Sequence, residues 1–483
     1  MKTSAIVQRF RQSAAKFPDR YALANADTQI SFRTLERKVA HCAKQISENI
    51  TTDVMAMLMP NGFAFPELLL GALWAGKSVA VMPTLAPPQL LKLMMMEVRA
   101  DKIVTSEEFV PRLMEAGVPC WIGDSSGELD PDDVLEQPMA REGAIMLYTS
   151  GTTGRPKTVE LSEANILANI DGCVEAEGFT DRDVMLAILP LFHAYGMTVT
   201  VLLPLTTGAS CVIPDRFLPR QVLQLIEKLK ITCFIAVPGQ FRILTKEPTE
   251  IDASSLRLCI SGGERLPDQV AIDFEKRFHL AIVQGYGATE VSPVISVNRP
   301  DANRMGSVGH ALPNLKLTIR DEQGNILPNG ELGEVCVEGP TVMLGYYNDR
   351  EATARKILEG VLRTGDKGYV DKDGYVYLAG RADDLVKVSG EKVYPSEVER
   401  ALENVPGVDE AAVVAFPDEK HGSRLHAFVQ LKPEAKLTGE DLRSSVREML
   451  EPYKVPRGVT FVDALPRTVT GKTDKRTLAT AAV

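Results

Sequence analysis

The chain has 483 residues, of which 45% are hydrophobic and 24% charged, so it has the composition of a globular protein and too many residues for one ordinary core. Its formal net charge of −10 argues against nucleic acid as the main partner, because a phosphate backbone is bound by a basic surface. The N-terminal sequence lacks the apolar stretch of a signal peptide, and the most apolar segments, 68–76 and 197–209, are too short to span a bilayer. We therefore predict a cytoplasmic protein of two or more domains with no transmembrane segment.

The seven cysteines occur singly and include no C-x-x-C pair. This pattern predicts small buried hydrophobic side chains in a reducing compartment rather than a disulfide framework or a zinc site. The six histidines are dispersed, and none has the spacing of a metal-ligand pair.

The first part of the chain predicts an α/β fold. Residues 1–45 are predicted to be helical, because apolar residues recur at three- and four-residue spacing in segments 5–17 and 32–46. Short apolar runs bounded by turn residues follow, with helical patterns such as 218–230 between them, and this alternation is typical of a parallel-rich sheet. The runs predicted to be strands are 53–60, 78–83, 101–106, 183–190, 210–214, 232–238 and 256–263.

The pattern changes after about residue 310. Segments 316–339 and 368–380 alternate apolar with polar residues and contain the dipeptides G-N, N-G and D-G, which favour hairpin turns. They predict a small antiparallel, barrel-like β unit at the end of a large domain.

Segment 380–399 interrupts this pattern, and an α+β unit is predicted after it. Its predicted elements, in order, are a helix at 395–405, strands at 411–417 and 424–433, a helix at 440–451, a strand at 459–464 and a polar tail at 466–476. We predict a large domain at 1–380, a hinge at 381–384 and a small, mobile lid domain at 385–483.

Residues 147–158, LYTSGTTGRPKT, have the composition of a phosphate-binding loop. Hydroxyl groups, two glycines that let the backbone approach a ligand, and Lys157 suit a phosphate chain, although a solvated hairpin turn has a similar composition. A Walker loop is disfavoured because Pro156 occupies the position of its last glycine and has no N–H to donate. A kinase or P-loop ATPase is therefore not expected.

Six ordered stretches together resemble the motifs of the adenylate-forming superfamily, which contains acyl- and aryl-CoA synthetases, nonribosomal adenylation domains and luciferases. Each motif alone is weak, whereas the ordered set is specific, and the chain looks most similar to a freestanding acyl-CoA or acyl-carrier-protein synthetase. The six are the loop YTSGTTGRPK (148–157), SGGE (261–264), GYGATE (285–290), the ribose motif RTGD (363–366), the hinge motif (380–399) and the catalytic-lysine loop PRTVTGK (466–472).

The resemblance implies a two-step reaction. A carboxylate attacks the α-phosphorus of ATP and pyrophosphate leaves; the acyl-adenylate is then attacked by the thiol of coenzyme A or of a carrier protein's phosphopantetheine. AMP supplies the leaving group that a carboxylate lacks, and the protein must position two anions and offset their charge.

The resemblance also implies the residues that bind ATP. The phosphate loop would use Thr149, Ser150, Gly151, Thr152, Thr153, Gly154 and Lys157, with Thr152, Thr153 and Lys157 on the β- and γ-phosphates. The adenine slot would be formed by Gly262, Gly263, Glu264, Gly285, Tyr286 and Gly287. Asp366 would accept hydrogen bonds from the ribose hydroxyls, and Arg381 would reach the ribose or a phosphate.

The remaining implied roles concern catalysis and domain motion. Glu290 would ligate Mg²⁺, and Thr289 would hydrogen-bond the α-phosphate. Lys472 would bridge the carboxylate and the α-phosphate. Asp383 would be the hinge about which the small domain rotates between the half-reactions, and Gly390 would line the thiol tunnel.

The segment PLFHAYG (190–196) resembles the border of the superfamily's acyl pocket, which makes His193 a gate residue near the substrate carboxylate, unless it is simply packed. FHAYGMTVTVLL contains no carboxylate to pair an amino acid's ammonium, so a fatty or aryl acid is favoured. The further pocket residues implied are Val237, Pro238, Gly239, Ala288, Val291 and Ser292.

Three alternatives stay open. A freestanding amino-acid-adenylating enzyme would share the first half-reaction, and a non-catalytic acyl-adenylate binder would share the fold. A luciferase is chemically possible, but nothing in the sequence requires it. The acceptor, CoA or acyl carrier protein, and the state, monomer or homodimer, are not fixed by the sequence.

Overall fold

The computed structural model describes residues 3–149, 156–418, 422–467 and 473–481, and the chain opens with two helices, as predicted. Helix α1 (Ala5–Lys16) begins after Ser4, whose side chain accepts a hydrogen bond from the Val7 amide, and it buries an apolar face that includes Phe10. Helix α2 is Phe32–Asn49. Between them, β1 (Tyr21–Ala24) and β2 (Gln29–Ser31) form an antiparallel pair that the helical spacing did not predict.

The first large sheet has seven strands and confirms the predicted strands at 53–60, 78–83 and 101–106. Its strands from this part of the chain are β3 (Val54–Leu58), β4 (Ser78–Val81), β5 (Ile103–Thr105), β6 (Cys120–Ile122), β7 (Gly143–Thr149) and β8 (Lys157–Ser162). The first five pair in parallel, and β8 returns antiparallel to β7. The connecting helices are α3 (Ala64–Trp74), α4 (Pro88–Glu97) and α5 (Val110–Glu115).

The second large sheet has nine strands, and its centre is parallel, as the alternation of strand and helix predicted. β1 and β2 form one edge, and the remaining strands are β9 (Val184–Ala187), β10 (Ser210–Val212), β11 (Cys233–Ala236), β12 (Leu258–Ser261), β13 (Ile282–Gly287), β14 (Val294–Val297) and β15 (His310–Ala311). The helical segments are α6 (Glu163–Glu177), a π-helix (Tyr195–Leu202), α7 (Leu203–Thr207), α8 (Pro219–Lys228), α9 (Pro238–Lys246) and α10 (Asp268–Phe278).

The antiparallel unit predicted after residue 310 is confirmed. Its elements are β16 (Lys316–Arg320), β17 (Gly333–Glu338), β18 (Gly345–Tyr346), α11 (Arg350–Lys356), β19 (Ile357–Leu358), β20 (Val361–Val370) and β21 (Val376–Arg381). Five of these strands form one sheet in the order β16-β17-β20-β19, with β21 also paired to β20. β18 instead pairs with β8 and completes the seven-stranded sheet. This pairing links the antiparallel unit to the strand that follows the predicted phosphate loop.

The C-terminal part is the predicted α+β unit. Its elements are β22 (Val386–Val388), β23 (Glu391–Val393), α12 (Pro395–Glu403), β24 (Val408–Asp418), β25 (Gly422–Leu431), α13 (Gly439–Met449), β26 (Gly458–Phe461) and α14 (Lys475–Ala481). Buried hydrophobic residues between Val388 and Val446 form a hydrophobic cluster within this unit. The domain limits at 380 and 385 and the hinge stay predictions.

One element of this unit corrects the sequence analysis, because part of the predicted polar tail is helix α14. The Asp474 carboxylate accepts hydrogen bonds from the Arg476 and Thr477 amides, and Leu478 is buried in a cluster with Phe428. The Asp474 cap and the buried Leu478 thus stabilise a helix although its sequence is largely polar.

Six of the seven cysteines are buried and all seven are free thiols, as predicted for small hydrophobic side chains. Within the ranges that the structure describes, none of the helices combines the length and the apolar character needed to cross a bilayer.

Glu177, at the end of α6, is a buried acid inside the large domain. Its Oε2 has no hydrogen-bond partner among the described residues, and burial raises the pKa of its carboxyl to about 8, although the charge of Arg257 opposes the shift. The group is therefore largely protonated in the folded protein at neutral pH.

We predict that Glu177→Gln changes how stability depends on pH. The folded-state pKa of about 8 lies above the ordinary value of 4.5, so the protonated carboxyl favours the folded state. This contribution is complete below about pH 4.5, and it is lost by about 1.4 kcal/mol per pH unit as the pH rises from there to about 8. Glutamine cannot lose this proton. Urea unfolding at pH 5 and pH 8 should therefore show the variant gaining roughly 4 kcal/mol on the wild type between the two.

The matched control is Glu175→Gln, on an exposed position of the same helix, which should show no such gain. A variant-minus-wild-type difference for Glu177→Gln that is equal at both pH values would contradict the buried-acid interpretation.

Candidate active site

Two predicted nucleotide motifs lie at the carboxyl ends of the neighbouring parallel strands β12 and β13, the edge at which open α/β sheets bind ligands. A Cβ on Gly262 would lie 2.7 Å from the Tyr195 ring, and one on Gly287 would lie 2.2 Å from the Pro293 carbonyl oxygen. Gly263 adopts a φ of +85°, in the left-handed region. In both motifs the backbone thus lies so close to neighbouring atoms that a residue with a side chain would not fit.

The ribose motif and the GYGATE motif meet through one hydrogen bond. The Tyr286 hydroxyl donates to Asp366 Oδ2 at 2.5 Å, and Arg381 Nε lies 3.6 Å from Asp366 Oδ1. Burial raises the pKa of the Asp366 carboxyl, while the Tyr286 hydrogen bond and the charges of Arg381 and Lys356 act in the opposite direction. Burial also raises the pKa of Tyr286 well above its ordinary range, so this hydroxyl keeps its proton and remains a donor.

Glu290, the predicted Mg²⁺ ligand, is held by a residue that the motifs did not mark. The Tyr346 hydroxyl donates to Glu290 Oε1 at 2.8 Å, and Lys157 Nζ lies 4.7 Å from the centroid of the Tyr346 ring. Tyr346 belongs to β18, so the pairing of β18 with β8 brings it beside Lys157. Thr289, the predicted α-phosphate donor, begins the short 3-10 turn that also carries Glu290.

Lys356, at the end of α11, is a second residue that sequence reasoning missed. Its Nζ donates to the Thr364 carbonyl at 2.7 Å, and a Cβ on Gly365 would lie 3.5 Å from it. Burial lowers the pKa of Lys356, while the carboxylates of Glu290 and Asp366 favour its charged form. Lys356 therefore supplies positive charge between the predicted metal ligand and the predicted ribose ligand. REATARK contains three basic residues, and no sequence signal singles out this one.

The predicted phosphate loop is only partly described. Thr149 and Lys157 face each other across the β7–β8 pair, with Thr149 Oγ1 donating to the Lys157 carbonyl at 3.5 Å. The predicted loop residues Ser150, Gly151, Thr152, Thr153 and Gly154 lie outside the described residues.

The C-terminal loop reaches the nucleotide motifs at its described end. The Thr473 amide donates to Glu264 Oε1, in the SGGE motif, at 3.1 Å. Lys472 itself lies outside the described residues, and its catalytic role stays a prediction. Asp383 lies in the 3-10 turn Ala382–Asp384, and its role as hinge also stays a prediction.

The predicted acyl-pocket residues are brought partly together. His193 packs against Phe192 with ring centroids 4.4 Å apart, and Tyr195 lies beside Gly262. Val237 approaches Gly263, where a Cβ would be 3.6 Å from its Cγ1, and Gly239 and Ala288 follow at the ends of β11 and β13. Val291 is fully buried in the main core. The contact of these residues with an acid stays a prediction.

The predicted metal ligand at this site is Glu290 alone. In the described parts of the chain no three His, Cys, Asp or Glu side chains cluster as metal ligands. Mg²⁺ commonly uses one or two carboxylates together with substrate phosphates and water, so a single carboxylate suits a metal that is carried by a nucleotide.

This geometry brings the predicted nucleotide motifs together between two sheets, and comparison with known proteins identifies the family of the chain. Residues 10–347 match the AMP-binding enzyme family, and residues 397–472 match the AMP-binding enzyme C-terminal domain. The chain therefore belongs to the AMP-binding enzyme family, which confirms the resemblance and the fold class inferred from the sequence.

Individual relatives agree with this assignment. The chain is 38% identical over 344 residues to a long-chain-fatty-acid–CoA ligase of Bacillus subtilis; the alignment covers 69% of this chain and spans 61% of that protein. It is 33% identical over 479 residues to a feruloyl-CoA synthase of Amycolatopsis, covering 96% of each. It also superposes on ATP-bound MatB from Rhodopseudomonas palustris with a TM-score of 0.89 and 27% identity, over 98% of both chains.

We predict that Tyr286→Phe weakens ATP use most at low pH. The Tyr286 hydroxyl stabilises the ionised form of Asp366, so its loss raises the pKa of that carboxyl further. If the ionised carboxylate accepts the ribose hydroxyls, the acidic limb of kcat/KM for ATP should move up by about one pH unit, as expected for loss of one charge-assisted hydrogen bond.

Tyr369→Phe is the matched control, because Tyr369 shares strand β20 with Asp366 and stacks on Tyr377 instead. A profile for Tyr286→Phe that falls in height without moving along the pH axis would show that the tyrosine does not tune Asp366.

Proposed function

We propose that this chain is an ATP-dependent acid–thiol ligase that joins a carboxylic acid to AMP and then transfers the acyl group to a thiol. The carrying observation is that contacts join five separate motifs: Asp366 bonds Tyr286 and lies beside Arg381, while Thr473, next to Lys472, bonds Glu264. Names of relatives, which are CoA ligases and synthases, support the same reaction type.

The site supplies what the first half-reaction requires. Two carboxylates, Asp366 and Glu290, suit the ribose hydroxyls and a metal, and three cations, Lys157, Lys356 and Arg381, lie beside them to offset phosphate charge. Mg²⁺, when bound through Glu290, would neutralise charge on the phosphates. Lys472 would contact the carboxylate and the α-phosphate while the carboxylate oxygen bonds the α-phosphorus and the bond to pyrophosphate breaks.

The acid has an apolar tail in this proposal. The π-helix that follows His193 is buried from Gly196 to Leu202 and is apolar apart from Thr198 and Thr200, and Val237 and Ala288 border the SGGE and GYGATE motifs. An amino acid's ammonium would need a counter-charge there, and residues 192–203 include no carboxylate. The acids in the relatives' names, a long-chain fatty acid and ferulic acid, also carry an aliphatic or aryl tail without an amino group.

Coenzyme A is the acceptor in this proposal, and a carrier protein's phosphopantetheine is the second choice. The relatives are named as CoA ligases and synthases, which supports free CoA. A cytoplasmic location and a monomeric or homodimeric state remain predictions.

The proposal is tested by acid-dependent exchange of pyrophosphate into ATP across palmitate, dodecanoate, 4-coumarate, benzoate and phenylalanine. We expect exchange with at least one of the first four, and thioester formation when CoA is added. Exchange with phenylalanine alone would indicate an amino-acid-adenylating enzyme, and tight binding of an acyl-adenylate without exchange would indicate a non-catalytic binder.

We predict that Lys472→Ala separates the two half-reactions. Loss of the cation that bridges the carboxylate and the α-phosphate should reduce pyrophosphate exchange by about 100-fold or more, the scale seen when one preorganised transition-state contact is removed. Thioester formation from supplied acyl-AMP and CoA should stay within about twofold of wild type, since the acyl group is already activated.

Lys475→Ala is the control, because Lys475 forms a partly exposed ion pair with Glu399 and such pairs contribute little. Equal losses of both half-reactions in Lys472→Ala would remove the assignment of this lysine to adenylate formation.

A further inference from the structure

A buried carboxylate in the small C-terminal unit is shared between two guanidinium groups from different parts of the chain. Glu410, at 7% exposure, lies in β24, and its Oε2 accepts from Arg242 Nη1 at 2.6 Å and from Arg467 Nη2 at 2.5 Å. Arg242 belongs to α9 of the large domain, whereas Arg467 precedes the loop that carries Lys472. We call Arg242, Glu410 and Arg467 the clasp.

The clasp is connected to the base of the lysine loop. Arg467 and Thr473 form an antiparallel bridge, and Arg467 Nη1 donates to Thr473 Oγ1 at 3.1 Å. Thr473 is in turn bonded to Glu264 of the SGGE motif. The base of the loop is therefore fastened to the large domain at two points, Arg242 through Glu410 and Glu264 through Thr473.

The clasp is more buried than a neighbouring ion pair between the same two units. The side chains of Arg242 and Glu410 are 13% and 10% exposed. In the pair between Lys246 and Asp409, which joins the same two elements, the lysine side chain is 58% exposed. An exposed pair is screened by water and contributes little, whereas a buried charge that loses its partner is costly.

We propose that the clasp is a positioning device for acyl-adenylate formation: it holds the base of the Lys472 loop against the SGGE motif, and it must open when the small domain leaves for thioester formation. This inference rests on the proposed two-step function. Arg242 supplies the large-domain half of the clasp, and its helix α9 begins directly after Val237 of the predicted acyl pocket.

Arg242→Met isolates this role, because it removes only the large-domain partner and leaves Glu410 paired with Arg467 inside the small unit. With the acid of the panel that the wild type exchanges fastest, pyrophosphate exchange should fall about tenfold, the effect of one charge-assisted hydrogen bond. Thioester formation from the synthetic adenylate of that acid and CoA should stay within about twofold, since that step does not use the closed clasp. Arg242→Lys should recover part of the exchange rate.

Lys246→Met is the matched control on the same helix and should leave both half-reactions within about twofold of wild type. Three results would overturn the inference: unchanged exchange in Arg242→Met, equal loss of both half-reactions, or an equal effect of Lys246→Met.

Hydrogen–deuterium exchange of the full chain separates this inference from the proposed function. Arg242→Met should speed amide exchange in 238–246 and 403–412 relative to wild type, whether or not any acid is activated. If the wild type activates no acid, the ligase proposal is wrong. If Arg242→Met leaves amide protection in those peptides unchanged, the inference about the clasp is wrong.

Discussion

The hydrogen bond from Tyr286 to Asp366 is the interaction on which the rest of the site depends. It joins the end of a parallel strand of the nine-stranded sheet to the antiparallel unit that carries the ribose motif. Arg381 is opposite Asp366 in the β20–β21 pair, so the same contact lies at the start of the predicted hinge segment. Motifs far apart in sequence thus become neighbours through one short polar contact in a buried setting.

Charge balance explains why the surrounding residues are arranged as they are. Negative charge in a partly buried site is costly unless cations lie nearby to compensate for it. The charges of Lys356 and Arg381 act to lower the pKa of Asp366, and Lys157 lies over the ring of Tyr346, whose hydroxyl donates to Glu290. The same cations suit an incoming triphosphate, which adds negative charge to a site that already contains two acids.

Most of the helices and strands named in the sequence analysis were found in the structure, but some elements could not be predicted from the sequence. Hydrophobic spacing predicted α1, α2 and seven of the parallel strands, β3, β4, β5, β9, β10, β11 and β12, because each is long or apolar enough to show its period. It missed β1 and β2, which are short, and α14, whose polar composition conceals a cap and a single buried leucine.

Within the site, the missed residues lack any local signal. Tyr346 reaches Glu290 only because β18 pairs with a strand from a distant part of the chain. Lys356 resembles its basic neighbours in α11, and only the fold directs its ammonium to the Thr364 carbonyl. Arg242 lies on an ordinary amphipathic helix, and its partner Glu410 is remote in sequence. Motifs specify chemistry within a segment, whereas these contacts arise between segments.

The most direct test of the account is a crystal structure of the protein with a non-hydrolysable ATP analogue and Mg²⁺. The account predicts the ribose hydroxyls on Asp366, the metal at Glu290, and the Lys472 ammonium within roughly 3.5 Å of an α-phosphate oxygen. An analogue bound away from the ends of β12 and β13, or Lys472 remote from its phosphates with the clasp closed, would contradict it.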